Sequence, residues 1–261
     1  MLLAVNIGNT NIVMGVYNKD DLILTFRLST KTNRTSDEIC VFIYNLLVQN
    51  KISPGEIDGV IVASVVPDIM YTFLHAIRKC FSLIPMLVGP GIKTGINIKI
   101  DNPKELGADL IVNAVAAFER YKDSCIVIDF GTATTFSVVS KNCEHLGVCI
   151  SPGIKISADA LFLNTAKLPK VELVLPQKVI GKNTVASMQS GIILGIIGQV
   201  KYIVEKISEE MISIGENKPH VIATGGMSTL VSRYGIDVIE KFEPLLTLEG
   251  LKIIYKRNIE R

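Results

Sequence analysis

Apolar runs broken by short polar turns open the chain. Leu2 to Val5 predicts a buried strand, Ile7-Gly8-Asn9-Thr10-Asn11 a turn, and Ile12 to Tyr17 a second strand. Asn18 to Asp21 turns again before a third strand over Leu22 to Leu28, which makes an antiparallel meander. Thr35-Ser36-Asp37-Glu38 has the hydroxyl and early acids of a helix start, and helical spacing continues to about Gln49. Gly59 to Val66 is apolar throughout and predicts a central strand. Asp68 to Phe81 reads as a helix and Pro85 to Val88 as a strand, so the first half runs βββαβαβ.

The stretch from Gly89 to Gly107 is rich in Gly and Pro and predicts a loop, followed by a helix over Asp109 to Tyr121. The pattern then restarts. Strands are expected at Cys125 to Ile128, Phe136 to Ser140 and Gly147 to Ile150, with a turn over Phe130 to Thr134. Helices follow over Ile154 to Thr165 and Thr184 to Ser213, then a strand over His220 to Ala223, a turn at Gly225-Gly226 and a helix over Ser228 to Tyr234. Val5-Asn6-Ile7-Gly8-Asn9-Thr10-Asn11 matches Ile128-Asp129-Phe130-Gly131-Thr132-Ala133-Thr134 in its order of apolar, amide or acid, glycine and polar positions. A duplicated α/β domain follows, with halves at 1–112 and 113–261 and a cleft expected between the copies.

Composition narrows the function classes. With 27 basic and 25 acidic residues in 261, the charge balance predicts neither a nucleic-acid nor a membrane partner. The apolar stretch Met1 to Val5 is too short for a signal peptide, and Gly191 to Gly198 is too short for a membrane span. Cys40, Cys80, Cys125, Cys143 and Cys149 show no C-x-x-C spacing, and only His75, His145 and His220 accompany them, which argues against structural zinc. Reduced, mostly buried thiols in a cytoplasmic protein are expected.

The two turns carry the chemistry. A phosphate needs converging N–H and O–H donors, and Gly8 and Gly131 permit close backbone approach. Asn9, Thr10, Thr132, Thr134 and Thr135 add short donors, and an acid two residues before the glycine can order a cation. Either turn alone reads as an ordinary hairpin; two matched copies read as a nucleotide site. The chain has no G-x-x-x-x-G-K-[ST] loop and no H-R-D loop, and Gly89-Pro90-Gly91-Ile92-Lys93-Thr94-Gly95 departs from G-x-G-x-x-G by one residue. Gly225-Gly226 is a third candidate contact, for a base or ribose, or else a helix-entry turn. Asp109 reads equally as a general base or as an N-cap.

Several segments together resemble the type III pantothenate kinases of the acetate and sugar kinase/Hsp70/actin superfamily. They are Asn6-Ile7-Gly8-Asn9-Thr10-Asn11, Ser64-Val65-Val66-Pro67, Val88 to Gly95, Asn102-Pro103 with Gly107-Ala108-Asp109, Ile128 to Thr135, Ser151-Pro152-Gly153, Gly181 to Val185, Ser190-Gly191 and Ala223-Thr224-Gly225-Gly226. The resemblance implies duplicated actin-like (ribonuclease H-like) βββαβαβα domains with an ATP cleft between them. It implies ATP-dependent phosphorylation of pantothenate, with Mg2+ and a monovalent cation, K+ or NH4+, in a cytoplasmic homodimer that opens coenzyme A biosynthesis. Asp109 then stands at the general base and Asp129 at the monovalent cation. The stretch from Asn6 through Ile7, Gly8, Asn9, Thr10, Asn11 and Ile12 to Val13, together with Thr132, stands at ATP. Ile100, Gly107, Ala108, Asp109, Leu110 and Thr184 stand at pantothenate.

Four positions depart from that family's pattern. Asn6 replaces an Asp, Leu110 replaces the Arg expected to meet the substrate carboxylate, Ile100 replaces a tyrosine, and Val148 replaces the second glycine of a pair. Three readings therefore stand: a working kinase, a weak or inactive paralogue that binds nucleotide or regulates, and a phosphohydrolase that uses water as acceptor.

Overall fold

A computed structural model describes residues 1–31 and 33–259. Its first strands are β1 (Leu2–Ile7), β2 (Asn11–Asn18) and β3 (Asp21–Ser29), each antiparallel to the next as the polar breaks predict. Helix α1 (Ser36–Gln49) starts at a capping box. Thr35 Oγ1 accepts from the Glu38 amide at 3.2 Å, and the Thr35 amide donates to Glu38 Oε2 at 2.7 Å. Then come β4 (Gly59–Ser64), α2 (Pro67–Phe81) and β5 (Met86–Leu87). The expected strand to Val66 stops at Ser64 because Val66 is the cap residue before Pro67, which opens α2.

The remaining elements are β6 (Asn97–Ile98), α3 (Ala108–Tyr121), β7 (Cys125–Phe130), β8 (Ala133–Val139), β9 (Glu144–Pro152), α4 (Ile154–Leu163), α5 (Thr184–Ser213), β10 (His220–Thr224), α6 (Ser228–Val231), β11 (Lys241–Phe242) and α7 (Leu246–Ile259). The helix expected over Ser228 to Tyr234 is α6 continued by a 3-10 turn. The sequence reading has no counterpart for β6, β11 or α7.

Contacts divide the chain into two units. The first holds Met1–Ile96, Asn102–Ala116 and the chain from Thr247 onward; the second holds Asn97–Asp101 and Ala117–Leu246. The expected division at 112/113 is a single cut, whereas the observed units interleave along the chain. The strand order is β3-β2-β1-β4-β5 in the first unit and β11-β10-β7-β8-β9-β6 in the second. Read from the meander inward, β9-β8-β7-β10-β11 repeats the first order, and β6 is an addition on its edge. The duplication expected from the two matched heptapeptides is thus present at the level of topology.

In the first unit Leu3, Val5 and Ile7 alternate onto one face of the sheet and form a core with Ile39, Ile43 and Leu47 of α1 and Ile69 and Phe73 of α2. The opposite face takes α7. A Cβ on Gly15 would lie 2.8 Å from Leu248 Cδ1, and one on Gly250 would lie 2.1 Å from the Val112 carbonyl oxygen, so α7 packs tightly on β2 and on α3. In the second unit Ile126, Ile128 and Phe130 of β7 pack with Ile193, Ile196, Val200 and Val204 of α5. Helix α5 has 30 residues and is the one described helix long and apolar enough to cross a membrane; its buried side forms this core.

One expectation is corrected. Cys40 on α1 and Cys80 on α2 form a disulfide, with Cα atoms 5.6 Å apart, so not all thiols are reduced. The two helices lie side by side in the layer covering the first sheet, a proximity that a separation of 40 residues conceals. Of the remaining three, Cys125 is buried while Cys143 and Cys149 are half-buried.

Candidate functional site

The first turn joins β1 to β2. The Gly8 amide donates to the Asn11 carbonyl at 3.0 Å, and Thr30 clamps the turn from β3: its Oγ1 donates to the Gly8 carbonyl at 2.6 Å and its amide to the Thr10 carbonyl at 2.9 Å. Asn9, Thr10 and Asn11 are exposed at the tip, where side-chain donors can meet a ligand. Ile7 and Ile12 are fully buried in the first core, so only their backbone groups are open to a ligand. Asn6 pairs in register with Val13 on β2 and Ala63 on β4. Its Oδ1 is buried and has no hydrogen-bond partner.

The second turn is one residue shorter. Phe130 pairs with Thr134, against Ile7 with Ile12 in the first copy, and the Gly131 amide donates to the Ala133 carbonyl at 3.0 Å. Structurally, then, Ile12 and Val13 correspond to Thr134 and Thr135, one residue away from the heptapeptide match. Thr132 is exposed at this tip. Asp129 pairs with Thr135 on β8 and Thr224 on β10. The Oγ1 atoms of Thr135 and Thr224 are buried and unpartnered.

Gly225 closes over Asp129. Its φ is +97°, in the region that favours glycine, and a Cβ there would lie 2.3 Å from Asp129 Oδ1. A Cβ on Gly131 would approach the same oxygen at 3.4 Å. The third glycine signal and the second turn therefore meet at one carboxylate. Gly226 has open space where a Cβ would be, as a flat ligand group requires. It also leads into α6, where Ser228 Oγ donates to the Gly225 carbonyl at 2.7 Å, so helix entry and open backbone coexist.

Asp109 lies in the first turn of α3. The Ile111 amide donates to the Gly107 carbonyl at 3.2 Å, which puts Gly107 rather than Asp109 at the helix cap. Asp109 Oδ1 accepts from the Leu110 amide at 2.9 Å. A Cβ on Gly107 would lie 2.6 Å from that carboxylate oxygen and 3.5 Å from Val65 Cγ1, so Asp109 sits by the chain leaving β4. Burial raises the pKa of the Asp109 carboxyl, opposed by the backbone N–H groups of Leu110 and Asp109. A desolvated carboxylate of raised basicity suits proton abstraction. Ala108 is half-buried beside it, and Leu110 is buried at 9% exposure.

Ile100 is half-buried in the short segment after β6, and Val148 pairs with Ser137 on the sheet. Thr184 is the exposed first residue of α5, whose cap Asn183 accepts from the Ala186 amide at 2.9 Å. A cavity of about 570 Å³ in the second unit is lined by Thr184 with Gly181, Lys182, Asn183, Ser187 and Met188. The Gly89-to-Gly95 stretch is tied to α7: the Lys93 amide donates to Asn258 Oδ1 at 3.1 Å. Sequence reasoning did not single out Thr224, the register partner of Asp129 on β10. It also missed α7, which the apolar spacing Leu248, Leu251, Ile254 signals.

The sequence profile of the type III pantothenate kinase family matches residues 2–206. Among solved structures, a conserved protein of the Baf transcriptional-activator family from Campylobacter jejuni is 22% identical, with a TM-score of 0.59 over 99% of this chain and 100% of that one. MreB 5 of Spiroplasma citri, solved with AMPPNP, is 11% identical, with a TM-score of 0.54 over 99% and 98%. The ethanolamine utilization protein EutJ from Carboxydothermus hydrogenoformans is 13% identical, with a TM-score of 0.54 over 97% and 89%. At such identities the likeness is one of fold, and the fold is actin-like.

Proposed function

This chain belongs to the type III pantothenate kinase family, and from that premise we propose that it transfers the γ-phosphoryl group of ATP to the primary hydroxyl of pantothenate, giving 4'-phosphopantothenate for coenzyme A synthesis. The observation that carries the proposal is the desolvated Asp109 carboxylate at the start of α3. In this reading Asp109 takes the hydroxyl proton as the oxygen attacks the γ-phosphorus. A new O–P bond forms, the bond to the β-phosphate oxygen breaks, and ADP leaves. Most of the rate comes from positioning and charge neutralisation, with about two to four orders of magnitude from the base.

Backbone and side-chain donors of Gly8 to Val13 hold phosphate oxygens in the first unit, and Thr132 does so in the second. Gly107, Ala108, Leu110, Ile100 and Thr184 contact the acceptor. Mg2+ would neutralise charge on the β- and γ-phosphates, with the Asn6 Oδ1 available to a metal-bound water. Asp129 would hold K+ or NH4+, which the buried oxygens flanking it fit. Exposed apolar residues on and after α4, among them Leu161, Phe162 and Leu163, favour a homodimer, and the family reading favours the cytoplasm.

A second reading is a weak or regulatory nucleotide-binding paralogue. It is favoured by the neutral Asn6, by the apolar Val13 and Ala63 beside it, and by the buried Leu110. A coupled assay of ATP turnover with and without pantothenate separates the two. The kinase reading expects pantothenate-dependent turnover that falls at least a hundredfold in Asp109→Asn, on the order of what a general base supplies. Because the buried carboxylate is disfavoured when charged, the same variant is expected to melt higher at neutral pH. That gain should shrink as pH falls through the raised folded pKa towards the unfolded value near 3.9. Nucleotide binding without turnover would install the regulatory reading, and hydrolysis without acceptor would install a phosphohydrolase.

A further inference from the structure

We propose that Arg27 and Arg34 bind the γ-phosphate of the nucleotide and give this chain a preference for a nucleoside triphosphate over a diphosphate. The proposal rests on the reading above, in which the first turn holds phosphate and Asp109 is the base, and adds two residues to it. Arg27 extends the Asn6 row by one strand. Asn6 on β1 pairs with Val13 on β2, and Val13 pairs with Arg27 on β3. Partners in adjacent strands project from the same face of a sheet, so the Arg27 side chain leaves the face that carries Asn6. Ser29, two residues on, shares that face and pairs with Asn11 at the exposed turn tip. Arg34 reaches the same place from the following loop: its Nη2 donates to Ser29 Oγ at 3.2 Å. Two guanidinium groups thus stand on one face, beside the turn that offers phosphate donors.

Neither cation is matched by an acid. Among the described residues no carboxylate forms an ion pair with Arg27 or Arg34. Glu38 lies within electrostatic reach of Arg34, but its carboxylate accepts from the Thr35 amide and hydroxyl at the cap of α1. An open guanidinium fork matches two oxygens of one phosphate and keeps its charge at any working pH. Farther from the turn the same face is closed, since a Cβ on Gly15 would lie 2.8 Å from Leu248 of α7. At the turn end Asn11, Arg27 and Ser29 are exposed.

The position of Asp109 selects the phosphate. The Val65 amide, just past β4, donates to the Ile7 carbonyl at 3.1 Å, and Val65 also lies beside Gly107 and Asp109. Asp109, the first turn and both arginines belong to the first unit. An acceptor oxygen held by Asp109 therefore faces the end of the phosphate chain nearest the first turn, and the group transferred from that end is the γ-phosphoryl. Asn6, Val13 and Ala63 add no charge there, so the charge that phosphoryl transfer calls for stands at the β3 end of the row. The second unit provides an internal contrast. Its equivalent row is Ile150, Thr135, Asp129 and Thr224, an acid without a cation, with Ile150 in the place of Arg27.

The test is isothermal titration of the whole chain, with Mg2+ present, against AMPPNP, a non-hydrolysable triphosphate, and against ADP. The unmodified chain should bind AMPPNP more tightly. Arg27→Gln and Arg34→Gln should each weaken AMPPNP binding at least about tenfold, the loss of one charge-assisted hydrogen bond, and change ADP binding by no more than about twofold. Arg27→Lys and Arg34→Lys should recover part of the loss, since an ammonium keeps the charge without the fork. Neither arginine is buried, so the variants should melt with the unmodified chain. Undiminished AMPPNP affinity in both glutamine variants would make the arginines ordinary edge-strand charges and overturn the assignment, as would equal losses for AMPPNP and ADP. A chain that binds neither nucleotide would overturn the nucleotide reading along with it. A triphosphate preference that depends on both arginines, without pantothenate turnover, would sustain the assignment and sink only the substrate reading.

Discussion

In the first unit Asn6 stands between Val13 and Ala63; in the second Asp129 stands between Thr135 and Thr224. The strand order around the two rows is the same, yet their chemistry is not. Unsatisfied buried side-chain atoms follow the same division. Among the described residues Asn6 Oδ1 is the one in the first unit, while Thr134, Thr135, His145 and Thr224 supply them in the second, beside Glu243 Oε1, which is ion-paired with Arg120 and Lys241. Backbone hydrogen bonding supports a duplicated topology without constraining which side chains line it, so one copy presents a charged, hydroxyl-rich row and the other a neutral one. The second copy bears the energetic cost, since each orphaned polar group is worth about 1–3 kcal/mol.

Restoring the charge is the strongest way to break this asymmetry. Asn6→Asp is expected to raise pantothenate-dependent turnover by up to about a thousandfold, from an interaction of roughly 4 kcal/mol between unit charges about 4 Å apart at an effective dielectric near 20. With only Val13 and Ala63 as flanking partners, the new carboxylate should also lower the melting temperature without Mg2+ and ATP. Steady-state kinetics beside melting curves read both effects. A faster enzyme with an unchanged melting temperature would show that Asn6 is less enclosed than its burial indicates.

His145 tests the second unit. It is fully buried on β9 with neither ring nitrogen partnered, and burial lowers its pKa to about 4. Its folded pKa lies below the unfolded value near 6.5, so stability held above pH 6.5 is lost as pH falls towards 4. The loss is on the order of 3 kcal/mol, roughly a hundredfold in the folding equilibrium. His145→Leu should flatten that acid slope in melting curves between pH 8 and 4, and a slope equal to that of the unmodified chain would assign the acid sensitivity elsewhere. The smallest effect is expected at Leu110. Leu110→Arg should lower the KM for pantothenate about ten- to a hundredfold, as a charged hydrogen bond to the carboxylate would. Unchanged KM would mean that the acceptor carboxylate lies away from α3.

Much of this architecture was legible in the chain. Alternation of apolar and polar residues marked the two meanders, the Thr35–Glu38 box marked the start of α1, and the heptapeptides at Asn6 and Asp129 marked the duplication. The misses have physical causes. Helix α7 carries apolar positions on a mostly polar strip, and its place against Gly15 and Val112 depends on residues more than 130 positions away. Asp109 looked as much like a cap as a base, because both uses favour an acid near a helix start; the Gly107 carbonyl bond to Ile111 removes the cap. Cys40 and Cys80 share no short motif, and only the packing of α1 on α2 brings them together.

Local order along the chain therefore determined the elements, the duplication and the glycine-bearing turns, because side-chain periodicity and turn chemistry act over a few residues. Which residues share a row was decided by strand register. Thr224 is 95 positions from Asp129, yet it is that residue's neighbour because β10 pairs with β7. Hydrogen bonding between strands sets such neighbours at a fixed spacing whatever their distance in sequence. The composition of such a buried row is thus a property of the tertiary structure.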